Sequence, residues 1–406
     1  MPIVIKNLSP DGGSFALSFA WLLAMLMWTA PLSPWAAAQP AAAPEAKYDE
    51  MLVDTNLKRN TAKVNQMLSE GKFDAGGQQM FDDFYQQFLL PQWTHDLTNL
   101  PKFRHDLANQ LRKKNAGAPT TVHDHLNALL LEFMQKLAAG NYHPATRVNA
   151  MLMIGELNRV EQPPTPLPEA LTTMIAAAQS RQLSDAVRAT AMVGIKRHLA
   201  AGTVDEDARK ALTAAMLKVA SDPLPRGPAR DGREWILRQA LDVLGRLGAV
   251  GDGNAVFTLL AKALADEKLP LQARMAAADA LGRLNYAGTS GINPADMAAV
   301  LGQFAIDVCA DELRQAKSSG EPVSRQRMAE RLGAALAALA GGEGGNHKGI
   351  GSLAGDANQQ ALLGELQKNI ESMTNRLSDK QNENENLSGA VEELQTKLEA
   401  WLKKKG

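Results

Sequence analysis

Three histidine–aspartate neighbours carry the most reactive side-chain chemistry in the chain: His95-Asp96, His105-Asp106 and His123-Asp124-His125. Imidazole beside carboxylate suits zinc binding or general acid–base transfer. Their spacing argues the other way. Neighbours on a helix point about 100° apart, and His123 and His125, two apart, do not share a helical face. In "TVHDHL", Thr121 and Asp124 also suit a capping box that opens a helix. Cys309 lies in an apolar helical pattern and reads as a core residue; as the only cysteine it allows no intramolecular disulfide. No His-Glu-x-x-His, Gly-x-Ser-x-Gly, Walker loop or haem-attachment signature is present. The sequence therefore assigns no catalytic, cofactor-binding or metal-binding residue. A metal-dependent enzyme built on the His/Asp-rich first region is the alternative.

A second group lies in the proline-rich stretch "SDPLPRGPARDGREW" (221–235), where Arg226, Arg230 and Arg233 stand beside Trp235. The bland reading is a solvated loop. The functional one is a partner contact, since arginine and tryptophan are favoured anchors of protein interfaces.

The elements that hold these residues follow from composition. Of 406 residues 45% are hydrophobic but only 5% aromatic, so alanine, leucine, valine and methionine must form the core. That mixture favours helix. A net charge of −1 argues against a general nucleic-acid binder. Phe81, Phe84, Tyr85 and Phe88 recur at helical spacing and share one face, a core face or, less commonly, a partner groove.

The first 38 residues resemble a bacterial export signal. "FALSFAWLLAMLMW" (Phe15–Trp28) would span only about 21 Å as a helix, short of the ~30 Å hydrocarbon core. Ala36 and Ala38 fit a small-x-small cleavage site, which predicts a mature chain starting at Gln39 with a flexible leader over 39–47. No later run reaches 18 uninterrupted apolar residues, so stable membrane insertion after cleavage is not expected. The expected location is the periplasm or the medium.

Beyond an N-terminal helical region (48–140), a pattern repeats. From Arg274 in "LQARMAAADALGRL", Ala277, Ala280, Leu281, Gly282 and Leu284 follow at offsets of three, six, seven, eight and ten. "RVNAMLMIGEL" repeats this from Arg147, "RATAMVGIKRH" from Arg188 and, more weakly, "RQRMAERLGAA" from Arg325. In "LRQALDVLGRL" the arginine slips by one place, to Arg238. The position held by Gly155, Lys196, Gly245, Gly282 and Gly333 recurs at intervals of 41, 49, 37 and 51 residues. Other helical stretches lie between the copies, and a late glycine suits a site where a second helix presses close. The alternation resembles the HEAT-repeat (armadillo-like) family over residues 143–340. The resemblance implies an α-solenoid over 141–340 with an extended protein-binding surface. In that family an aspartate before the arginine helps to link adjacent repeats; here only Asp185, before Arg188, matches.

A glycine-rich linker (341–360) reads as a tether. A heptad seam follows over 361–406: Leu363, Leu366, Ile370, Met373 and Leu377, then the polar Lys380 and Asn384, then Leu387, Val391, Leu394, Leu398 and Trp401. Because the register survives the polar interval, an intermolecular coiled coil, and hence a homodimer through 361–405, is favoured over a helical hairpin or an array-capping helix. The sequence reading is thus an exported, all-α, non-enzymatic scaffold that binds protein partners and self-associates. A structural cell-envelope component is a further alternative.

Overall fold

The computed structural model describes residues 47–113, 119–202, 204–341, 349–379 and 386–405. Residues 1–38, expected to be an export signal, and all but Lys47 of the expected leader lie outside them. Tyr48 onward forms one compact unit. Fifteen α-helices and one short β-hairpin are formed among the described residues, so the chain is all-α in class.

Helices α1 (Thr61–Glu70), α2 (Gly77–Asp83) and α3 (Leu100–Leu111) open the fold. The aromatic face is core: Phe81, Phe84 and Tyr85 are buried, and Trp93 joins them. The helix after α2 widens into a π-turn over Phe84–Leu89. Pro91 explains part of this, because it has no N–H to donate to the carbonyl of Gln87 four residues back. The amide of Asp54 takes that place at 2.8 Å.

From α4 the helices come in pairs: α4 (Thr121–Ala139) with α5 (Pro144–Glu156), α6 (Pro168–Gln179) with α7 (Asp185–Ala200), and α8 (Glu206–Ala220) with α9 (Arg230–Leu247). Two more pairs follow: α10 (Ala255–Ala265) with α11 (Leu271–Gly282), and α12 (Pro294–Ser319) with α13 (Arg325–Ala340). The second helices α5, α7, α9, α11 and α13 pack side by side in one row, and the first helices α6, α8, α10 and α12 form another. Between α5 and α6 a proline-rich connector forms an antiparallel hairpin, β1 (Asn158–Glu161) with β2 (Pro164–Pro166).

The repeated arginine has one job in three pairs. Arg147, Arg188 and Arg274 each donate Nε–H to a carbonyl in the last turn of the preceding helix: Ala138 at 3.0 Å, Ala178 at 3.0 Å and Leu264 at 2.8 Å. Those carbonyls have no partner within their own helix, and a guanidinium also suits the negative end of the helix dipole. In α13 the aligned Arg325 donates instead to the carbonyls of Arg376 and Leu377 near the end of the helix over Ala357–Ser378, at 3.1 and 3.4 Å, while the buried Arg331 donates to Asp311 and Glu312 of α12 at 2.8 and 3.0 Å. The slipped Arg238 of α9 has no partner for its buried Nε.

Close approach explains the glycines. A Cβ on Gly155 would meet the Cα of Gly194 at 3.1 Å, and one on Gly245 the Cα of Ala280 at 2.7 Å. One on Gly282 would meet the carbonyl oxygen of Ala337 at 2.4 Å. In α7 the glycine that makes this contact is Gly194, two residues before the aligned Lys196. In the alanine-rich α11, Ala273, Ala277, Ala278, Ala280 and Leu281 are all buried, Asp279 and Arg283 are half-buried, and Gln272 is exposed.

The C-terminal seam folds back on its own chain. Helices α14 (Ala357–Ser378) and α15 (Ser388–Lys405) pack together, with α14 against α12 and α13 and α15 against α12. Leu363, Leu366, Ile370, Met373, Leu377, Leu387, Val391, Leu394, Leu398 and Trp401 are all buried within this arrangement. Trp401 lies over Gly302 and donates its indole N–H to the carbonyl of Leu362 at 3.1 Å. Lys404 pairs with Glu365 at 2.9 Å. The seam favoured for a second copy is thus covered by one chain as a hairpin on the last helix pair. Asn384 and Lys380 lie outside the described residues. Of the glycine-rich run, residues 342–348 are also outside them. Of the rest, Gly349 and Ile350 are buried, Gly355 and Asp356 are exposed, and α14 begins at Ala357 under the Asp356 cap.

The glycines give a paired test. Gly245→Ala places a methyl against backbone and is expected to destabilise by about 1–3 kcal/mol despite alanine's better helix propensity. Gly333→Ala, in α13 with open space at the Cβ, is expected to stabilise by up to about 1 kcal/mol. Urea denaturation midpoints of the two variants decide; equal shifts would contradict close packing of the second helices.

Candidate functional site: a groove at the proline–arginine loop

The three His–Asp neighbours go to three separate places. His95 faces the carbonyl of Met51 at 2.6 Å and Glu50 at 3.4 Å. His105 is exposed, while Asp106 pairs with Lys102 at 2.6 Å. His125 meets Asp82 at 2.5 Å and stands edge-on to Phe73. Among the described residues no group of three or more His, Cys, Asp or Glu side chains is arranged to hold a metal ion. The cap of α4 is Thr120, one residue earlier than the suggested Thr121; its hydroxyl accepts from the amide of His123 at 3.2 Å.

His123 is buried in a polar cluster that ties the β-hairpin to the helices. Its Nε2 lies 3.8 Å from Glu161, and Asn127 donates to the carbonyl of Asn158 at 2.8 Å. Asn158 donates to Glu161 at 2.9 Å, and Arg197 of α7 donates to the carbonyl of Gly155 at 2.9 Å and to the side chain of Asn158. Burial draws the Arg197 guanidinium below its ordinary range, while Glu161 and Glu156 push it back up. Most of these polar atoms serve one another. The cluster reads as a lock between elements.

The arginine group divides in two. Arg233 is structural: its Nε lies 2.7 Å from Asp185, in a network that also holds Asp222, Arg181 and the fully buried Arg188. Asp185 of α7 thus contacts Arg233 of α9. Trp235 is half-buried against the core. Arg226 and Arg230, by contrast, are exposed and line a groove of about 880 Å³ between the 221–230 loop and α10.

Leu217, Leu224, Leu237, Leu259 and Leu269 give this groove an apolar floor, and Lys262 and Lys268 add two exposed cations to its wall. Of its two acids, Asp222 is held by the arginine network, while Asp266 accepts only from the amide of Lys268 at 2.9 Å and offsets one of the four cations. Arg226 has no hydrogen-bond or ion-pair partner among the described residues, and Arg230 only reaches the carbonyl of Lys268 at 3.4 Å. The groove therefore carries uncompensated positive charge above an apolar base. A second charged ribbon, on the second helices, is internally paired. Asp242 meets Lys196 at 3.6 Å, Arg246 at 3.1 Å and Arg283 at 2.6 Å. Burial would raise the Asp242 carboxyl, but hydrogen bonds from Arg283 and Arg246 outweigh it and hold it below its ordinary range. No protein-family model matches the chain, and no characterised protein matches its sequence.

Reading the sequence missed Lys262 and Lys268, because their helix and turn come to the loop only by packing. It also missed His198, the last-turn histidine of α7. His198 is 1% exposed, and its Nε2 has no partner. Burial first, and then the neighbouring Arg197, lower its pKa from the ordinary value of about 6.5 to about 4. It is neutral when folded, so between those values the unfolded chain binds the extra proton and stability falls as pH drops. The cost from His198 should reach about 2–3 kcal/mol at the acid end. His198→Phe should remove that share of the loss between pH 7 and 4.5 in urea unfolding. An unchanged pH dependence would contradict a neutral, buried His198.

Proposed function

We propose that this chain is an exported, non-enzymatic scaffold of HEAT-like α-solenoid type, and that its proline–arginine groove takes an acidic, apolar-faced segment of a partner protein. The observation that carries the reading is the groove itself: an apolar floor under Arg226, Arg230, Lys262 and Lys268, with Asp222 held by other arginines and Asp266 left to offset one of the four cations. Leucines without charge would suit any apolar segment, and charge without leucines any anion. Together they select a helix or strand with leucine-like residues on one side and glutamate or aspartate on the other.

The solenoid reading is supported by the two rows of paired helices, by the arginines tying second helix to first, and by small residues where second helices meet. Export is supported by the leading apolar segment and its small-residue cleavage site. The separate histidines give no specific support to the metal-enzyme alternative.

A synthetic fifteen-residue peptide of alternating leucine and glutamate faces, labelled for fluorescence anisotropy, tests the groove. Its affinity should fall steeply with added salt, and Arg226→Glu with Arg230→Glu should weaken it by about tenfold or more. The same peptide with lysine for glutamate should not bind. If the double variant binds as well as the parent chain, the groove is not the site.

A further inference from the structure

The groove does not end at Leu217. A second cleft of about 790 Å³ adjoins it along α8, and the two share Leu217 and Ala255 as lining. Its walls are the outer face of α8, with Lys210, Thr213 and Ala214, and the connectors that follow α9 and α11. The two clefts together make a furrow in the first-helix row. It follows α8 from Glu206 to Leu217 and then α10 from Ala255 to Asp266. Each stretch is about 16 Å long, or about three helical turns. The row is open here: α8 and α10 meet less closely than do α6 and α8, or α10 and α12.

Charge is graded along the furrow. At the loop end Arg226, Arg230, Lys262 and Lys268 are offset by Asp266 alone, since other arginines hold Asp222. At the far end Glu206 and Asp252 balance Arg209 and Lys210, and Arg209 is also tied to the carbonyl of Leu247 at 2.7 Å. Ala214, Leu217, Ala255 and Leu259 carry small or apolar surface from one end to the other.

Resting on the groove reading above, we propose that the occupant is a single α-helix of the partner, laid along this furrow as an added member of the first-helix row, with its acidic C-terminal end at the 221–230 loop. A helix satisfies its own backbone, whereas a strand needs an edge to pair with. Helices α8 and α10 offer side chains only, and the Ala249–Asn285 bridge in the connector wall is isolated, too short an edge to hold a strand. Ala214 and Ala255 are exposed and add little thickness, so a helix can approach closely. The charge gradient sets the direction. A helix carries its negative dipole at the C-terminal end, so dipole and acids act together there on the four cations.

The probe is a fifteen-residue peptide with leucines along one face and glutamates in its last two turns, followed with the full chain by fluorescence anisotropy. A proline at its centre should weaken binding by about tenfold or more, because proline breaks a helix but not an extended segment. Ala214→Trp, at an exposed position that lines only the second cleft, should weaken it by a similar factor. Direction is read by disulfide cross-linking, from which the buried Cys309 stays apart. A cysteine at the peptide's N-terminus should join Ala287→Cys, and one at its C-terminus should join Ala229→Cys. Arg226→Glu with Arg230→Glu separates the two readings. If the peptide fails to bind, or binds that double variant as it binds the parent, the groove itself is not the site and the oriented helix falls with it. If the double variant binds weakly but Ala214→Trp and the central proline change nothing, or if the cross-links form in the opposite sense, the groove stands and the oriented helix is overturned.

Discussion

The arrangement rests on how closely the second helices approach one another. Where Gly155 meets Gly194, Gly245 meets Ala280 and Gly282 meets the Ala337 carbonyl, backbone lies against backbone with no room for a larger side chain. Such contacts gain little from any single side chain. Their stabilisation is dispersion summed over a dense row, which falls away steeply once a gap opens. The abundance of alanine follows: it forms helix at no entropic cost and adds almost no thickness.

Close packing also sets the terms for charge. A carbonyl at a helix end cannot reach water once the next pair covers it, so a donor must come from the protein. Arg147, Arg188 and Arg274 supply it, because only a long side chain with a fixed fork spans from the second helix to the end of the first. Two of these guanidiniums also meet an anion. Asp185 and Asp222 serve Arg188, and Asp307 stands 2.8 Å from Arg274. Where the copies depart from the pattern the polar balance departs too, as the orphan Nε of Arg238 shows.

The helices were legible because burial leaves a period of 3.6 in the residues, and the arginine–alanine–glycine spacing was legible because each copy meets the same packing demand. What periodicity does not encode is the identity of the covering surface. The seam from Leu363 to Trp401 correctly announced a buried face, but the same leucines serve a second chain or a neighbouring helix equally well. Trp401 over Gly302 is a contact between residues almost a hundred positions apart, and no local pattern in either stretch points to the other. The arginine loop shows the same limit. Arg226 and Arg233 look alike in sequence, yet one faces Asp185 and the other faces solvent, a difference made by where α7 places its first residue.

That difference bears on where such a fold can carry function. Helix faces in the two rows are largely occupied by neighbours, and the charges along the second helices are paired with one another. Uncommitted chemistry is left to the connectors. In the 221–230 loop, Pro223, Pro225 and Pro228 have no N–H to pair and hold φ near one value, so the loop neither joins a helix nor collapses onto one. It stands out from the rows with Arg226 at its turn beside Gly227, whose φ of 77° lets the chain reverse there. A rigid loop presents its cation at little entropic cost to whatever binds. The hairpin at 158–166 shows the opposite outcome for proline-rich chain: there Glu161 and Asn158 are drawn inward by Arg197, and the connector becomes part of the core. Whether a connector in this fold becomes a lock or an open site is thus decided by whether an adjacent helix offers its charges a partner.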